Sequence, residues 1–355
     1  MTLEIRSGVR GAALPGHDPG ERQALRLAPD TRQRDADPGH IIAQAVEHEQ
    51  SGVDSALVAQ SSSWPDPWLV AAWALAATST LRLVPAHRIG TTAPTVAARS
   101  LATLHRLSGG RAGVHLILGS SDLEVGRDGD NLPKEVRYRR AAEFLEIFTR
   151  TLTSREPFDF DGEFYQVRDA VSGLPPVRPE LSFAGTSPAG IALAGRYADV
   201  YGIPTQPIEQ TRELIATVQA AAAEHDSRIR IWRNASFILG DTDAAAADHA
   251  ERLAAQAVHL GTRLGPDPLW ITRPGRIAVP DELEQAIANV AGRAVVASPE
   301  TAAELGAQLW RAGVDILQIS TPLETPEDLR LRRRLISSLR AATGGVRDPA
   351  STLVR

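Results

Sequence analysis

The chain has 355 residues, 43% hydrophobic and 23% charged, with a formal net charge of −5 and no cysteine. Such a composition suits a soluble globular protein with a core large enough to need no staple, and it excludes disulfides, thiolate catalysis and Cys-ligated metal centres. No basic stripe with interleaved aromatics, signal-peptide core or bilayer-length apolar run occurs, so a cytoplasmic protein with no nucleic-acid and no membrane partner is expected.

In chain order, residues 1–39 read as an irregular segment, polar and rich in Gly and Pro, in which 3–9 or 23–27 would supply a first strand. From residue 40 onward, short β-rich runs alternate with helical patterns. A helix over 40–50 and Gly52 precede a strand over 55–59; a helix over 67–77 leads to a strand over 81–86. The helix over 94–107 stops at Ser108-Gly109-Gly110, and a strand over 111–118 follows. After a polar loop comes a helix over 136–152, then runs at 157–160 and 163–167 flanking Asp161-Gly162, a hairpin turn signal that breaks the rhythm.

The rhythm resumes with strand 181–184, helix 187–196, strand 199–203, helix 208–224, strand 230–239 and helix 244–260. Residues 261–284 hold Pro266, Pro268, Pro274 and Pro280 and are expected to form a long mobile loop. Helix 299–312, strand 314–320 and helix 326–339 close a unit expected to span 40–342, with a polar tail over 343–355. Eight βα units with right-handed crossovers predict an α/β fold of the (β/α)8 TIM-barrel class, with insertions near 157–167 and 261–284. A doubly wound sheet is the other arrangement considered, but no Gly-x-Gly-x-x-Gly turn follows a strand.

In a barrel, function collects where the strands end at their carboxyl side. That rim would hold 60–64 with Trp64, then His87 and Arg88, then His115 within the fourth strand and Gly119 at its end. Gly185, Thr186 and Ser187 end the fifth; Asn234 and Ser236 share a face of the seventh with Trp232. The stretch Phe183-Ala184-Gly185-Thr186-Ser187-Pro188-Ala189 reads as strand, tight turn, hydroxyl pair and helix start, which is either a phosphate site or a well-capped helix. Asn234 and Ser236 are equally site lining or hydrogen-bonded structure. His115 has no second His or carboxylate at ligand spacing, so no metal is expected there.

Three blocks fall in a fixed order: Ser108-Gly109-Gly110-Arg111, then Arg137-Tyr138-Arg139-Arg140-Ala141-Ala142-Glu143-Phe144, then the block ending at Ala189. Ala93-Pro94-Thr95-Val96-Ala97-Ala98-Arg99, Phe158-Asp159-Phe160-Asp161-Gly162-Glu163-Phe164-Tyr165 and Ala312-Gly313-Val314-Asp315 accompany them. Together these resemble the bacterial luciferase-like flavin monooxygenases, nearest the alkanesulfonate monooxygenases and their long-chain alkane relatives, over residues 40–339. The resemblance implies a (β/α)8 barrel that binds reduced FMN supplied by a separate NAD(P)H-dependent flavin reductase, and a homodimer or homotetramer. It implies Tyr138, Thr186 and Ser187, with Gly185, as flavin-phosphate contacts, and places His115 where relatives usually carry Asn near the flavin ring. Arg273 and Arg276 resemble a basic pair in a mobile lid. Trp64 stands where the sulfonate enzymes have an active-site Cys, Asn234 and Ser236 where they have Arg and His, and Pro322 where a Tyr is expected.

The expected activity is therefore an FMNH2-dependent monooxygenase that uses O2 to oxygenate a small organic substrate. The flavin-phosphate half of the site is retained and the substrate half rewritten, which argues against a sulfonate. Trp64 would narrow the pocket, Arg88 is a further candidate on the substrate or lid side, Arg273 or Arg276 would meet anionic groups, and His87 or His115 would handle protons near neutral pH. Two alternatives remain at this level: an F420-dependent oxidoreductase of the same fold, and a non-catalytic flavin-binding protein.

Overall fold

The computed structural model describes residues 2–14, 16–27, 35–119, 121–264 and 294–344. Its strands in chain order are β1 (Glu4–Gly8), β2 (Ser55–Val58), β3 (Arg82–Arg88), β4 (Val114–Ile117), β5 (Phe158–Asp161), β6 (Gln166–Ala170), β7 (Leu181–Ala184), β8 (Val200–Ile203), β9 (Arg230–Leu239), β10 (Val295–Ala297) and β11 (Ile316–Ser320). The described helices are α1 (Pro19–Leu27), α2 (Pro38–Gln50), α3 (Pro67–Ala76), α4 (Pro94–Leu107), α5 (Asp122–Arg127), α6 (Lys134–Thr153), α7 (Pro188–Tyr197), α8 (Ile208–Ala223), α9 (Asp243–Leu264), α10 (Pro299–Arg311) and α11 (Pro326–Thr343).

Eight parallel strands close a ring in the order β1-β2-β3-β4-β7-β8-β9-β11, with β11 returning to β1. This is the (β/α)8 barrel expected from the alternation. The first strand is β1, whereas 23–27, the other candidate, lies in helix α1. β10 adds to the far end of β9, pairing Val295 with Phe237. Hairpin β5–β6 stands apart as its own two-stranded sheet. Its second strand begins later than the sequence suggests, because the Glu143 carboxylate accepts the amides of Glu163, Phe164 and Tyr165 and holds them in the turn.

The βα junctions follow local chemistry. Asp37, Asp66, Ser187, Ser298 and Thr325 each cap a helix whose first turn contains proline, so amides that lack intrahelical partners are either absent or accepted. Along each strand alternate residues turn outward, and Leu3, Ile5, Leu83, Leu116, Phe183 and Leu317 join the main core between ring and helices. The inward set is different. Glu4, Arg6, Ser55, Arg82, His115, Ser182, Arg230 and Trp232 share the lumen face by register.

At the amino-terminal end of the ring these inward charges neutralise one another. Arg6 bonds Glu180 at 2.8 Å and Glu4 at 3.2 Å, while its Nε donates to Ser55 at 2.9 Å. Arg82 meets Glu4 at 2.8 Å, and Arg230 reaches Glu4 at 2.7 Å and also pairs with Glu180. Burial would push the Glu4 carboxyl up, but Arg6, Arg82 and the Ser55 hydroxyl outweigh it and hold Glu4 at about 2. The Ser108–Arg111 block serves the same end: Arg111 donates to the carbonyls of Leu75, Leu81 and Ser108. No helix among the described residues is long and apolar enough to cross a membrane.

Candidate active site

The carboxyl-terminal mouth holds side chains whose polar atoms the fold itself leaves without partners. At the end of β7, Gly185 has φ +144°, a backbone conformation that L side chains rarely adopt, and the chain turns there into α7. Ser187 caps the helix, its hydroxyl accepting from the Gly190 amide at 3.2 Å. Pro188 has no amide to offer, and the next one, of Ala189, has no partner within the helix. Tyr138 reaches over from the first turns of α6, and its hydroxyl lies 2.6 Å from Ser187 Oγ. Two hydroxyls from residues 49 apart in sequence thus meet at one helix start. Thr186, just before the cap, is exposed.

A third oxygen stands beside them. Tyr201 on β8 is fully buried, and its hydroxyl has no hydrogen-bond partner. A Cβ built on Gly185 would lie 3.6 Å from that hydroxyl, so the glycine leaves the space next to it open. Burial, with Tyr138 nearby, pushes the Tyr201 phenol well above its ordinary range, and it stays protonated as a donor. Sequence reasoning missed Tyr201 because it sits in the apolar run Val200–Ile203 and reads as barrel wall. The strand–Gly–Thr–Ser turn one strand earlier is the signal that could have drawn attention to it.

The remaining residues of the motif around Tyr138 are structural. Arg137 donates to Asp122 and to the Leu132 carbonyl, Arg140 binds Asp130 and the Ile89 carbonyl, and Phe144 stacks on His87. The block therefore fixes the α5 region, the loop after β3 and hairpin β5–β6 around the one side chain that faces the site.

Deeper in the lumen, His115 Nδ1 lies 3.0 Å from Ser182 Oγ and its ring meets Trp232 edge-on at 5.0 Å. Arg6 stacks over the same indole at 5.2 Å. Gly202 makes room for it, since a Cβ there would come within 2.9 Å of the Trp232 ring. Burial and the positive Arg6 lower the His115 pKa to about 3, with Ser182 partly opposing. His115 is thus a neutral ring at physiological pH, a hydrogen-bonding group and not a proton exchanger.

His87, by contrast, faces away from the lumen. It packs between Trp68 of α3, whose indole donates to Nδ1 at 3.2 Å, and Phe144 of α6. Burial lowers its pKa to about 4. The alternation that turns Ala86 inward beside His115 turns His87 outward, so it does not join the other candidates. Arg88 is also engaged elsewhere: it pairs with Asp128 at 2.9 Å and donates to the Glu124 carbonyl, anchoring α5 over the barrel. Gly119 admits that helix, because a Cβ there would strike Val125 at 2.0 Å.

Asn234 and Ser236 are exposed at the mouth, paired in register with Gln318 and Ser320 of β11. Beside them, a cavity of about 210 Å3 opens between β1, β2 and β11. Trp64, in the loop after β2, forms part of its wall. Gln60 from the same loop accepts the Arg88 amide at 2.8 Å. Of the loop expected over 261–284, residues 261–264 continue helix α9 instead, and the rest, with Arg273 and Arg276, lies outside the described residues. Among the described residues no cluster of three or more His, Cys, Asp or Glu side chains could hold a metal ion.

A closed (β/α)8 ring with buried unpartnered polar atoms of Tyr201, Gln318 and Thr321 at its carboxyl-terminal mouth has the architecture of a barrel enzyme. Residues 17–315 match the luciferase-like monooxygenase family, and the chain belongs to it; the protein is an oxidoreductase. Solved structures share the fold at low identity. An EDTA monooxygenase from Chelativorans sp. BNC1 superposes with a TM-score of 0.75 at 18% identity, covering 98% of this chain and 100% of that one. A long-chain alkane monooxygenase gives 0.72 at 17% identity, covering 96% of this chain and 92% of that one. An F420-dependent secondary alcohol dehydrogenase gives 0.70 at 18% identity, covering 96% and 100% respectively.

Proposed function

We propose that this protein is the oxygenating component of a two-component monooxygenase, which binds reduced FMN and uses O2 to oxygenate a small organic substrate. The observation that carries this reading is the 2.6 Å meeting of Tyr138 and Ser187 at the start of α7, beside the spare Tyr201 hydroxyl. Hydroxyl donors and helix-start amides gathered around an open glycine fit a phosphate group. Tyr138, Thr186, Ser187 and the Gly185 turn would hold it. Bound flavin supplies the redox chemistry with O2.

The chain's own residues would orient the cofactor and keep water out. Neutral His115 offers a hydrogen bond from below, and Asn234 and Ser236 line the mouth from β9, two strands along the ring from β7. Arg273 and Arg276 would close over the cofactor. A separate NAD(P)H-dependent flavin reductase would deliver FMNH2, in keeping with a sequence in which no Gly-x-Gly-x-x-Gly turn follows a strand.

The described cradle contains hydroxyls and amides and no cationic side chain, which suits the phosphodiester of F420 as well as a monoester. F420-dependent hydride transfer is therefore the second reading. Anaerobic titration with FMNH2 and with reduced F420, each followed by an O2 pulse and substrate, separates the two. Tight FMNH2 binding with substrate-coupled O2 uptake supports the first, F420 turnover without O2 the second. Binding without turnover under either condition leaves a non-catalytic flavin protein.

A homo-oligomer is part of the same reading. Leu69 and Trp73, one turn apart on α3, are 72% and 53% exposed. On a helix apolar around its circumference, that face suits a second copy of the chain. Trp73→Glu is expected to shift the sedimentation coefficient to that of a monomer.

A further inference from the structure

We propose that the cavity between β1, β2 and β11 is the substrate pocket, and that it takes a small uncharged molecule about the size of one six-membered ring, carrying a single hydroxyl. This rests on reading the mouth as the cofactor site. β1 is four strands from β7 in either direction round the ring, so the pocket lies across the mouth from Tyr138 and Ser187. A cofactor anchored by its phosphate at α7 would extend towards it.

Volume sets the size of the ligand. The cavity measures about 210 Å3, whereas an apolar cavity of about 150 Å3 is known to accommodate benzene. The wall sets the charge. Leu57, Trp64 and Leu323 contribute apolar surface, and no acidic side chain is among the described residues that line it. Arg10, the cationic residue on the described wall, has an interaction of its own.

Two polar atoms set the functional group. Gln318 Oε1 and Thr321 Oγ1 are buried without partners, and Thr321 is 4% exposed. An orphaned amide oxygen calls for a donor, and a threonine hydroxyl can donate or accept. A ligand hydroxyl can satisfy either one. A carboxylate or sulfonate would instead point lone pairs at the Gln318 oxygen while losing its hydration shell.

Gly8 is the place to test occupancy. It faces the cavity from β1, and a Cβ there would meet only the Leu57 carbonyl oxygen, at 3.7 Å. Gly8→Leu would project into the free volume.

The experiment measures binding of phenol, toluene and benzoate to the full-length protein by calorimetry, with FMN binding measured in parallel. Phenol should bind about fivefold or more tighter than toluene, the worth of one neutral hydrogen bond, and about tenfold or more tighter than benzoate. Thr321→Val combined with Gln318→Leu should erase the preference for phenol over toluene while toluene binding persists, and Gly8→Leu should abolish both. Benzoate binding as tightly as phenol, equal affinities for phenol and toluene, or phenol binding unchanged in Gly8→Leu would each overturn the proposal. If FMN binds and none of the probes does, the pocket assignment alone falls. If the probes behave as stated and neither FMN nor F420 binds, the cofactor reading falls and the pocket stands.

Discussion

The two ends of the barrel are built from similar side chains used in opposite ways. At the amino-terminal end, Glu4, Arg6, Arg82, Glu180 and Arg230 are tied to one another, with Arg6 Nη1 the exception that lacks a partner. At the carboxyl-terminal end, Tyr201, Gln318 and Thr321 hold buried polar atoms without partners, and Asn234 and Ser236 are open to solvent. Saturated polar groups stabilise a fold, whereas orphaned ones raise its free energy until a ligand arrives. The contrast therefore separates residues that matter for folding from residues that matter for binding, and each prediction tests whether the separation holds.

The largest effect is expected at the amino-terminal end. Glu4→Gln leaves the guanidiniums of Arg6, Arg82 and Arg230 facing a neutral amide and should destabilise the protein by about 3–5 kcal/mol, as when one partner of a buried pair is removed. Cofactor affinity of the folded fraction should be unchanged. Because the folded Glu4 carboxyl sits at about 2 instead of its ordinary 4.5, its contribution is complete above pH 4.5 and is lost as pH falls through 2. Urea titrations from pH 7 to pH 3 check this. A variant as stable as the parent would show that the ion cluster is not what secures this end.

At the opposite end, Ser187→Ala should weaken FMN binding about 10- to 100-fold by removing a hydroxyl donor to a charged ligand, at a stability cost of about 1 kcal/mol from the lost cap. Riboflavin, which lacks the phosphate, should lose little. Equal losses for both ligands would move the phosphate away from α7.

The same chemistry explains what could be read from the sequence. The ring strands after β1 announce themselves because runs such as Val200–Ile203 and Ile316–Ser320 are β-rich and bounded by helix signals. β1 was ambiguous because its inward residues, Glu4 and Arg6, are charged, so its alternation resembles a solvent-facing edge. Only Ser55 of β2, Arg82 of β3, Glu180 just before β7 and Arg230 of β9 make that burial favourable, and they are distant in sequence. α5, six residues long, reads as part of a polar loop, since Arg88 and Arg137, both outside it in sequence, hold it in place. The two motifs carry the residues whose hydroxyls meet at the start of α7, Tyr138 and Ser187. His87 was misplaced towards the rim because a strand end carries both faces, and only the register decides which one a side chain joins.

His115 lies between the two ends and reports on both. Its pKa falls from the ordinary 6.5 to about 3, so folding excludes a proton that the unfolded chain binds between those values. Its contribution is complete above pH 6.5 and is lost as pH drops towards 3. His115→Gln, which can still bond Ser182, should flatten the acid limb of stability by about one proton, roughly 1.4 kcal/mol per pH unit. An unchanged limb would mean that the imidazole is reached by solvent and protonates freely in the folded state.

The smallest effect is the most discriminating. In the unliganded protein the Tyr201 hydroxyl is desolvated with nothing in return, so Tyr201→Phe removes a cost and should leave stability unchanged or raise it by about 1 kcal/mol. If that hydroxyl donates to the cofactor phosphate, the same change should weaken FMN about five- to tenfold and leave riboflavin unaffected. Stability and affinity would then move in opposite directions on loss of a single oxygen. A structural tyrosine would lose stability and leave the ratio of FMN to riboflavin affinity where it was. Opposite signs are what a group reserved for a ligand must show, and no residue of the ion cluster at the other end of the barrel can show them.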